Sequence, residues 1–296
     1  MGADARAEAR AGWAFVTPAL LLIGVFFAIP VVAAFVLSFT DFDIYSVADF
    51  GSTRFIGLQN YQDLATSPLF WTALKNTLYF VVVGGPLSAA VSLLAAVLVN
   101  GKLVRFKPFF RSAFFAPWVT TLVAMALVWR YLYHPQYGLF NAALGLVGIG
   151  PVDWLGDPQW AMPSLILLSV WKNFGFNMLV FLAGLQSIPE ELYEAASLDG
   201  AGAWRRFRHI TLPMLGPTFV FVGVVTMIAS FQIFSEPYIM TQGGPLKSTL
   251  TLVLYMYEEG FRWWRLGVSA SIAVVLFALT LVATLVQLRL QRGREL

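Results

Sequence analysis

The residues of this chain that can do chemistry sit on two apolar segments. In the first, Lys172, Asn173 and Asn177 interrupt a stretch from Met162 to Gln186 that is otherwise almost wholly apolar. Asn173 and Asn177 stand four residues apart and so share one helix face, with Phe176 adjacent to it. In the second, Thr226 and Ser230 form a similar polar step, with Gln232 just beyond. Counting about 1.5 Å per residue, Lys172 lies roughly 15 Å from the end of its helix, level with Thr226 to Ser230 on an antiparallel neighbour. Amides, hydroxyls and an aromatic ring at one depth suit a hydroxyl-rich solute, which needs hydrogen bonds for its hydroxyls and an apolar surface for its ring face.

Polar groups inside a bilayer are costly and are functional candidates by default. The competing use of Asn and Ser there is hydrogen bonding between helices, worth about 0.6–2 kcal/mol. Lys172 would cost about 2.5–3.5 kcal/mol on insertion scales. It should therefore face a wet cavity or a carboxylate, and Glu236 is a candidate partner; the alternative is attraction of an anionic solute.

Other chemistry is missing. There is no Cys, hence no thiol nucleophile, disulfide or Cys-based metal site. His134 and His209 are isolated, so no metal site is expected. No G-x-x-x-x-G-K-[ST] motif is present, so the chain cannot hydrolyse ATP itself. No His, Asp and Ser constellation converges, so no catalytic residues and no enzyme activity are expected.

The elements that carry these residues belong in a membrane. The chain is 58% hydrophobic and 12% charged, with a mean hydropathy of +0.73, whereas soluble domains carry about 25% charged residues. The apolar runs are long and continuous, as helical spans are and β-barrel strands are not. The expected fold is an all-α integral membrane protein, a single domain over 1–296 with six transmembrane helices at about 13–39, 76–100, 109–131, 162–186, 214–237 and 267–289. Gly84-Gly85-Pro86 breaks the second, and Pro117 should kink the third. A short interfacial helix is expected within 131–161, with Trp154 and Trp160 at headgroup level.

Lys and Arg set the orientation. With the N-terminus inside, the inner segments hold Arg6, Arg10, Lys102, Arg105, Lys107, Arg111, Arg205, Arg206, Arg208, Arg289, Arg292 and Arg294. The outer loops hold only Arg54, Lys247, Arg262 and Arg265. That satisfies the positive-inside rule with both termini cytoplasmic. The net charge of +3 is this bias and not a nucleic-acid footprint.

A polar island at 187–213, SIPEELYEAASLDGAGAWRRFRHITLP, separates the fourth and fifth spans. Ser187 with Glu190 fits a capping box, and Gly200 is a natural helix stop. A second short basic helix should cover Ala203 to His209. Small Ala195 and Ala196 would let a partner approach closely. Leu192 and Leu198 would be apolar anchors, and Glu194 and Asp199 polar contacts. This is a helix suited to a groove on a cytosolic partner.

The run E-A-A-x-x-D-G-A, followed by Phe207, Ile210, Leu212 and Pro213, resembles the EAA loop of membrane permeases of binding-protein-dependent ABC importers. The resemblance extends over nearly the whole chain and is closest to the carbohydrate branch, including maltose-type permeases. Its pieces include Pro18, Pro30, Ser38-Phe39, FIGLQNY at 55–61, Arg111, Pro117, Trp129, GLFN at 138–141, Gly267 and Ser269-Ala270. A family element often written T-G-G-G-P appears as Thr241-Gln242-Gly243-Gly244-Pro245.

The resemblance implies a type I importer permease translocating a sugar or oligosaccharide by alternating access. Glu194, Ala195, Ala196, Leu198, Asp199, Gly200 and Ala201 would couple it to the ATPase. Its implied partners are two copies of an ATP-binding cassette subunit, a second homologous permease, an extracytoplasmic solute-binding protein and membrane lipid. ATP and Mg would bind the partner, leaving no cofactor here. The implied location is a bacterial cytoplasmic membrane. Counting from the motifs, the maltose-type sugar contacts fall on Lys172, Asn173, Phe176, Thr226, Ala229, Ser230 and Ile233, giving a substrate pathway of Lys172, Asn173, Phe176, Asn177, Thr226, Ser230 and Gln232. The alternative cargo is glycerol phosphate or its diesters. The alternative of another class is a stand-alone channel or receptor.

Overall fold

The computed structural model describes residues 3–49, 51, 53–101 and 104–292, with the side chains of 3–7, 291 and 292 left aside. Of the residues used to orient the chain, Lys102 and Arg294 lie outside the described residues, as do the side chains of Arg6 and Arg292.

The helices that matter, in chain order, are α1 (Glu8–Leu37), α2 (Gln59–Thr66), α3 (Pro68–Asn100), α4 (Lys107–Val119), α5 (Leu122–Leu132), α6 (Leu139–Leu146), α7 (Pro158–Gln186), α8 (Glu190–Leu198), α9 (Ala203–Arg206), α10 (Gly216–Phe231), α11 (Ser235–Met240) and α12 (Leu266–Arg292). Among the described residues five helical segments are long and apolar enough to cross a membrane: α1, α3, α7, Gly216–Met240 and Leu266–Leu290. The pair α4 and α5 makes a sixth if counted as one span, although its halves meet at 98°.

That pair corrects the expected continuous helix at 109–131. Pro117 lies in the last turn of α4, and the chain breaks three residues later. Thr120 and Thr121 are extended, with ψ of 151° and 134°. The Thr120 hydroxyl donates to the Pro117 carbonyl at 2.6 Å, a local bond that competes with helix continuation. The expected helix at 214–237 is also interrupted, between Phe231 and Ser235. The expected start at 76 moves back to Pro68.

Three prolines are absorbed without a sharp break. Wide π-turns occupy Gly24–Ala28, Phe80–Gly84 and Phe207–Thr211. Each is followed, two residues on, by Pro30, Pro86 or Pro213. A proline inside a helix has no N–H to give and its ring crowds the carbonyl four residues back. One extra residue in the turn relieves both conflicts.

The chain forms two compact units, residues 1–67 with 256–275, and residues 68–255 with 276–296. In the first, Asn60 of α2 donates to the carbonyls of Ser38 and Thr40, each at 2.9 Å, just past the end of α1. Tyr61 donates to Ser38 Oγ at 2.7 Å. Gly267 N donates to Phe42 O at 2.8 Å, and a Cβ on Gly267 would overlap the Thr40 carbonyl oxygen. These contacts give a physical reason for Ser38-Phe39, FIGLQNY and Gly267: they build one junction from distant parts of the chain.

In the second unit the core runs along α7, whose buried face includes Leu165, Leu168, Met178 and Phe181. Gly175 lets the backbone of α4 approach, because a Cβ there would overlap the Phe114 carbonyl oxygen. Trp154, expected at headgroup level, packs its ring against Tyr133 and Phe140. Its indole N–H donates to Asn141 of α6 at 2.9 Å.

Candidate functional site: a polar cavity and a cytosolic hairpin

A cavity of about 430 Å³ opens in the second unit. The seven residues of the expected pathway, Lys172, Asn173, Phe176, Asn177, Thr226, Ser230 and Gln232, all line it. Ala229 and Ile233 line it too. The helical periodicity of α7 and α10 accounts for most of this: Asn173, Phe176 and Asn177 share a face of one, Thr226, Ala229 and Ser230 a face of the other, while Gln232 and Ile233 reach the cavity from the break that follows α10.

The polar groups have definite partners. Asn177 is buried and donates to Thr226 Oγ1 at 3.1 Å and to Ser88 Oγ at 3.4 Å, so three helices meet at one amide. Asn173 donates back to Ser169 O at 2.8 Å. Ser230 donates to Thr226 O at 2.7 Å. Asn177 therefore joins helices as well as lining the cavity, which is the competing use weighed for Asn in a membrane.

Lys172 is engaged in an unexpected way. Its ammonium donates to the carbonyls of Thr120 at 2.8 Å, Pro117 at 3.2 Å and Trp118 at 3.3 Å. These belong to the C-terminal end of α4, where carbonyls lose their intrahelical partners and carry partial negative charge. Lys172 thus caps the break between α4 and α5.

Three cavity features escaped sequence reasoning. Trp118 stacks on Phe176, with centroids 5.1 Å apart and planes 18° apart, and on Phe115 at 5.3 Å. Ser88 and Ser169 add hydroxyls. Glu236, considered only as a partner for Lys172, lines the cavity and is 8% exposed. Its signal was available, since a carboxylate in an apolar segment calls for an explanation. Trp118 had none, because only the fold brings α4 against α7.

The polar island forms a helical hairpin apart from the cavity. Pro189 is the N-cap of α8 and gives no side-chain bond. The expected capping box is absent: Ser187 ends α7 instead, its hydroxyl donating to Gly184 O at 2.8 Å. The C-terminus follows the expected pattern. Gly200 has φ +74°, and Ala201 N reaches Ala196 O at 2.8 Å while Gly200 N reaches Ser197 O at 3.1 Å, a glycine-dependent closure of the last turn. The second expected helix, Ala203 to His209, is α9 continued by the wide turn before Pro213.

Tyr193 Oη meets Thr211 Oγ1 at 2.9 Å, and Arg206 donates to Ser197 Oγ at 2.8 Å, tying α8 to the returning strand of chain. Tyr193 and Ile210 pack against a core that includes Phe181, Leu185 and Leu215. The opposite side is bare: Glu194, Ala195, Leu198 and Asp199 are exposed, Leu198 by 90%. Ala196 and Ala201 are half-buried.

Comparison with known proteins places this geometry in a family. A family model described as the inner membrane component of binding-protein-dependent transport systems matches residues 7–295. The chain is 37% identical over 282 residues to the arabinooligosaccharides transport system permease protein AraP of Bacillus subtilis (strain 168), covering 95% of this chain and 88% of that one. It is 36% identical to the lactose transport system permease protein LacF of Rhizobium radiobacter, covering 96% and 95%. It is 33% identical to the trehalose/maltose transport system permease protein MalF of Thermococcus litoralis, covering 97% and 96%. A chain of a bacterial alginate ABC transporter, solved with an alginate pentasaccharide-bound periplasmic protein, shares the fold with a TM-score of 0.83 at 23% identity, covering 98% and 96%. The chain is a multi-pass membrane permease, and it belongs to the family of inner-membrane components of binding-protein-dependent transport systems.

Proposed function

We propose that this chain is a permease subunit of an ATP-driven, binding-protein-dependent importer, and that its cargo is a sugar or oligosaccharide. The observation that carries the reading is the cavity, where amides and hydroxyls from two antiparallel helices flank the rings of Phe176 and Trp118. The permease names of the relatives, for arabinooligosaccharides, lactose and trehalose/maltose, support the cargo class.

In this reading the chain sits in a bacterial cytoplasmic membrane with both termini inside, and pairs with a second, homologous permease. Two ATP-binding cassette subunits bind ATP and Mg and do the hydrolysis. The bare side of α8, with Glu194, Ala195, Leu198 and Asp199, enters a groove on one of them. Ala196, Gly200 and Ala201 hold that helix end in shape. Solute arrives on an extracytoplasmic binding protein. The long exposed apolar helix α1 meets lipid or the partner permease.

The test is uptake by cells carrying the whole system, using labelled neutral disaccharides and oligosaccharides. Phe176→Ala and Asn173→Ala should each lower uptake at least about tenfold while the complex still assembles. Normal uptake by both variants, or no uptake of any sugar by the unmodified system, would overturn the reading.

A further inference from the structure

The cavity holds two ionisable groups among the described residues, Lys172 and Glu236, and they are used differently. The Lys172 ammonium is held by three backbone carbonyls at the end of α4. A helix C-terminus carries roughly half a negative charge, so about half of the lysine charge is offset where it sits. Glu236 has no such arrangement. It is over nine-tenths buried, yet among the described residues no neighbouring side chain is hydrogen-bonded to its carboxylate. Its own backbone N–H lies beside it, and it attracts Lys172 across the cavity. When Glu236 is ionised, its charge exceeds that of the half-offset ammonium and leaves a negative surplus in the cavity.

We propose that Glu236 sets the charge class of the cargo: its carboxyl group accepts hydrogen bonds from solute hydroxyls and turns anionic solutes away. The inference rests on the sugar-permease reading and narrows it to neutral, hydroxyl-rich solutes. It also removes the argument for a phosphate ester drawn to Lys172, because that ammonium faces protein carbonyls. Gln232, two residues from Ser230 and beside the same cavity, can supply the complementary amide donor to a hydroxyl that Glu236 receives.

The chain has no cysteine, which allows a direct test that does not depend on knowing the cargo. Ala229 lines the cavity and is exposed, so Ala229→Cys places a small reporter in it. Val225→Cys, also exposed to the cavity, serves as a second reporter. In membrane vesicles holding the assembled transporter, labelling of this chain is timed with three methanethiosulfonates, one bearing trimethylammonium, one bearing sulfonate and one neutral. Rates are divided by those for a free thiol in solution.

The cationic reagent should outpace the anionic one by at least about fivefold after that correction, as expected for one unit charge in a partly hydrated cavity. Glu236→Gln should bring the ratio close to one without altering the neutral reagent's rate, and Glu236→Asp should retain the preference. A ratio at or below one in the parent, or one unmoved by Glu236→Gln, would overturn the proposal. Uptake separates the two levels of the account. A parent that shows no charge preference, or one that Glu236→Gln leaves unmoved, sinks only the role of Glu236 while sugar uptake is intact, whereas absence of sugar uptake sinks the permease reading beneath it.

Discussion

The ammonium of Lys172 lies 2.8 Å from the carbonyl oxygen of Thr120, where α4 ends and the chain turns through 98° into α5. One turn further along α7, Gly175 admits the backbone of Phe114, and Phe176 stacks on Trp118. Three successive contacts therefore hold the broken helix against α7 and fix one wall of the cavity.

Removing the ammonium leaves three carbonyls without that donor. Lys172→Met should lower the stability of the assembled complex by about 0.5–1.5 kcal/mol, the net worth of a hydrogen bond to acceptors that are only partly buried. Thermal unfolding in lipid nanodiscs would measure it. Uptake of neutral and charged solutes should fall by the same factor; a selective loss for anions would instead make Lys172 a solute ligand.

The approach at Gly175 has no slack. Gly175→Ala puts a methyl group onto the Phe114 carbonyl, and because the obstacle is backbone it cannot rotate away. Overpacking of this kind costs about 1–3 kcal/mol. Gly175→Val should abolish accumulation of folded chain, as read by gel filtration of detergent-solubilised membranes. Wild-type yield of both variants would mean that α4 does not pack here.

Asp41 and Arg54 form a clasp in the first unit, with Arg54 Nε 2.8 Å from one Asp41 oxygen and Arg54 N 2.7 Å from the other. The backbone N–H of Arg54, and then its guanidinium, hold the Asp41 carboxyl below its ordinary value of 3.8. A depressed carboxylate contributes stability that is complete above its unfolded pKa, near 4, and fades as pH falls through the lower folded value. Amide exchange of residues 53–56 should be protected at pH 5 and lose that protection below pH 4, and Asp41→Asn should abolish the pH step.

Gly200 sits at φ +74°, where a side chain is strained by about 1–2 kcal/mol. Gly200→Ala should fray the last turn of α8, seen as faster amide exchange at Gly200 and Ala201. Gly200→Arg and Glu194→Lys should abolish uptake and weaken co-purification with the ATP-binding subunit. Normal assembly and transport in both would remove the docking role.

Much of this was legible in the sequence because periodicity carries it. The spacing of Asn173, Phe176 and Asn177 puts them on one face of a helix, and the cavity contains all three. Gly200 was legible as a helix stop because a left-handed residue has few alternatives. The break after Val119 was not, since Pro117 signals a kink while the actual break depends on the Thr120 hydroxyl and the Lys172 ammonium, which arrives from another helix. Ser187 was misassigned for a similar reason: a serine between two helices can start one or end the other, and only its bond to Gly184 decides. Trp118 entered the site through packing, which no local pattern reports, whereas Glu236 was marked in the sequence by its carboxylate in an apolar segment.

The central claim is that α8 is driven by an ATP-hydrolysing neighbour. Ala195→Cys, in a chain otherwise without cysteine, gives a single thiol on the bare side of that helix. Its reaction with a membrane-impermeant maleimide should be compared in inside-out vesicles with and without the ATP-binding subunits. The account predicts protection of at least about tenfold in the complete assembly and a cross-link from this thiol to an ATP-binding subunit. Equal reactivity in both preparations, with no cross-link, would contradict it.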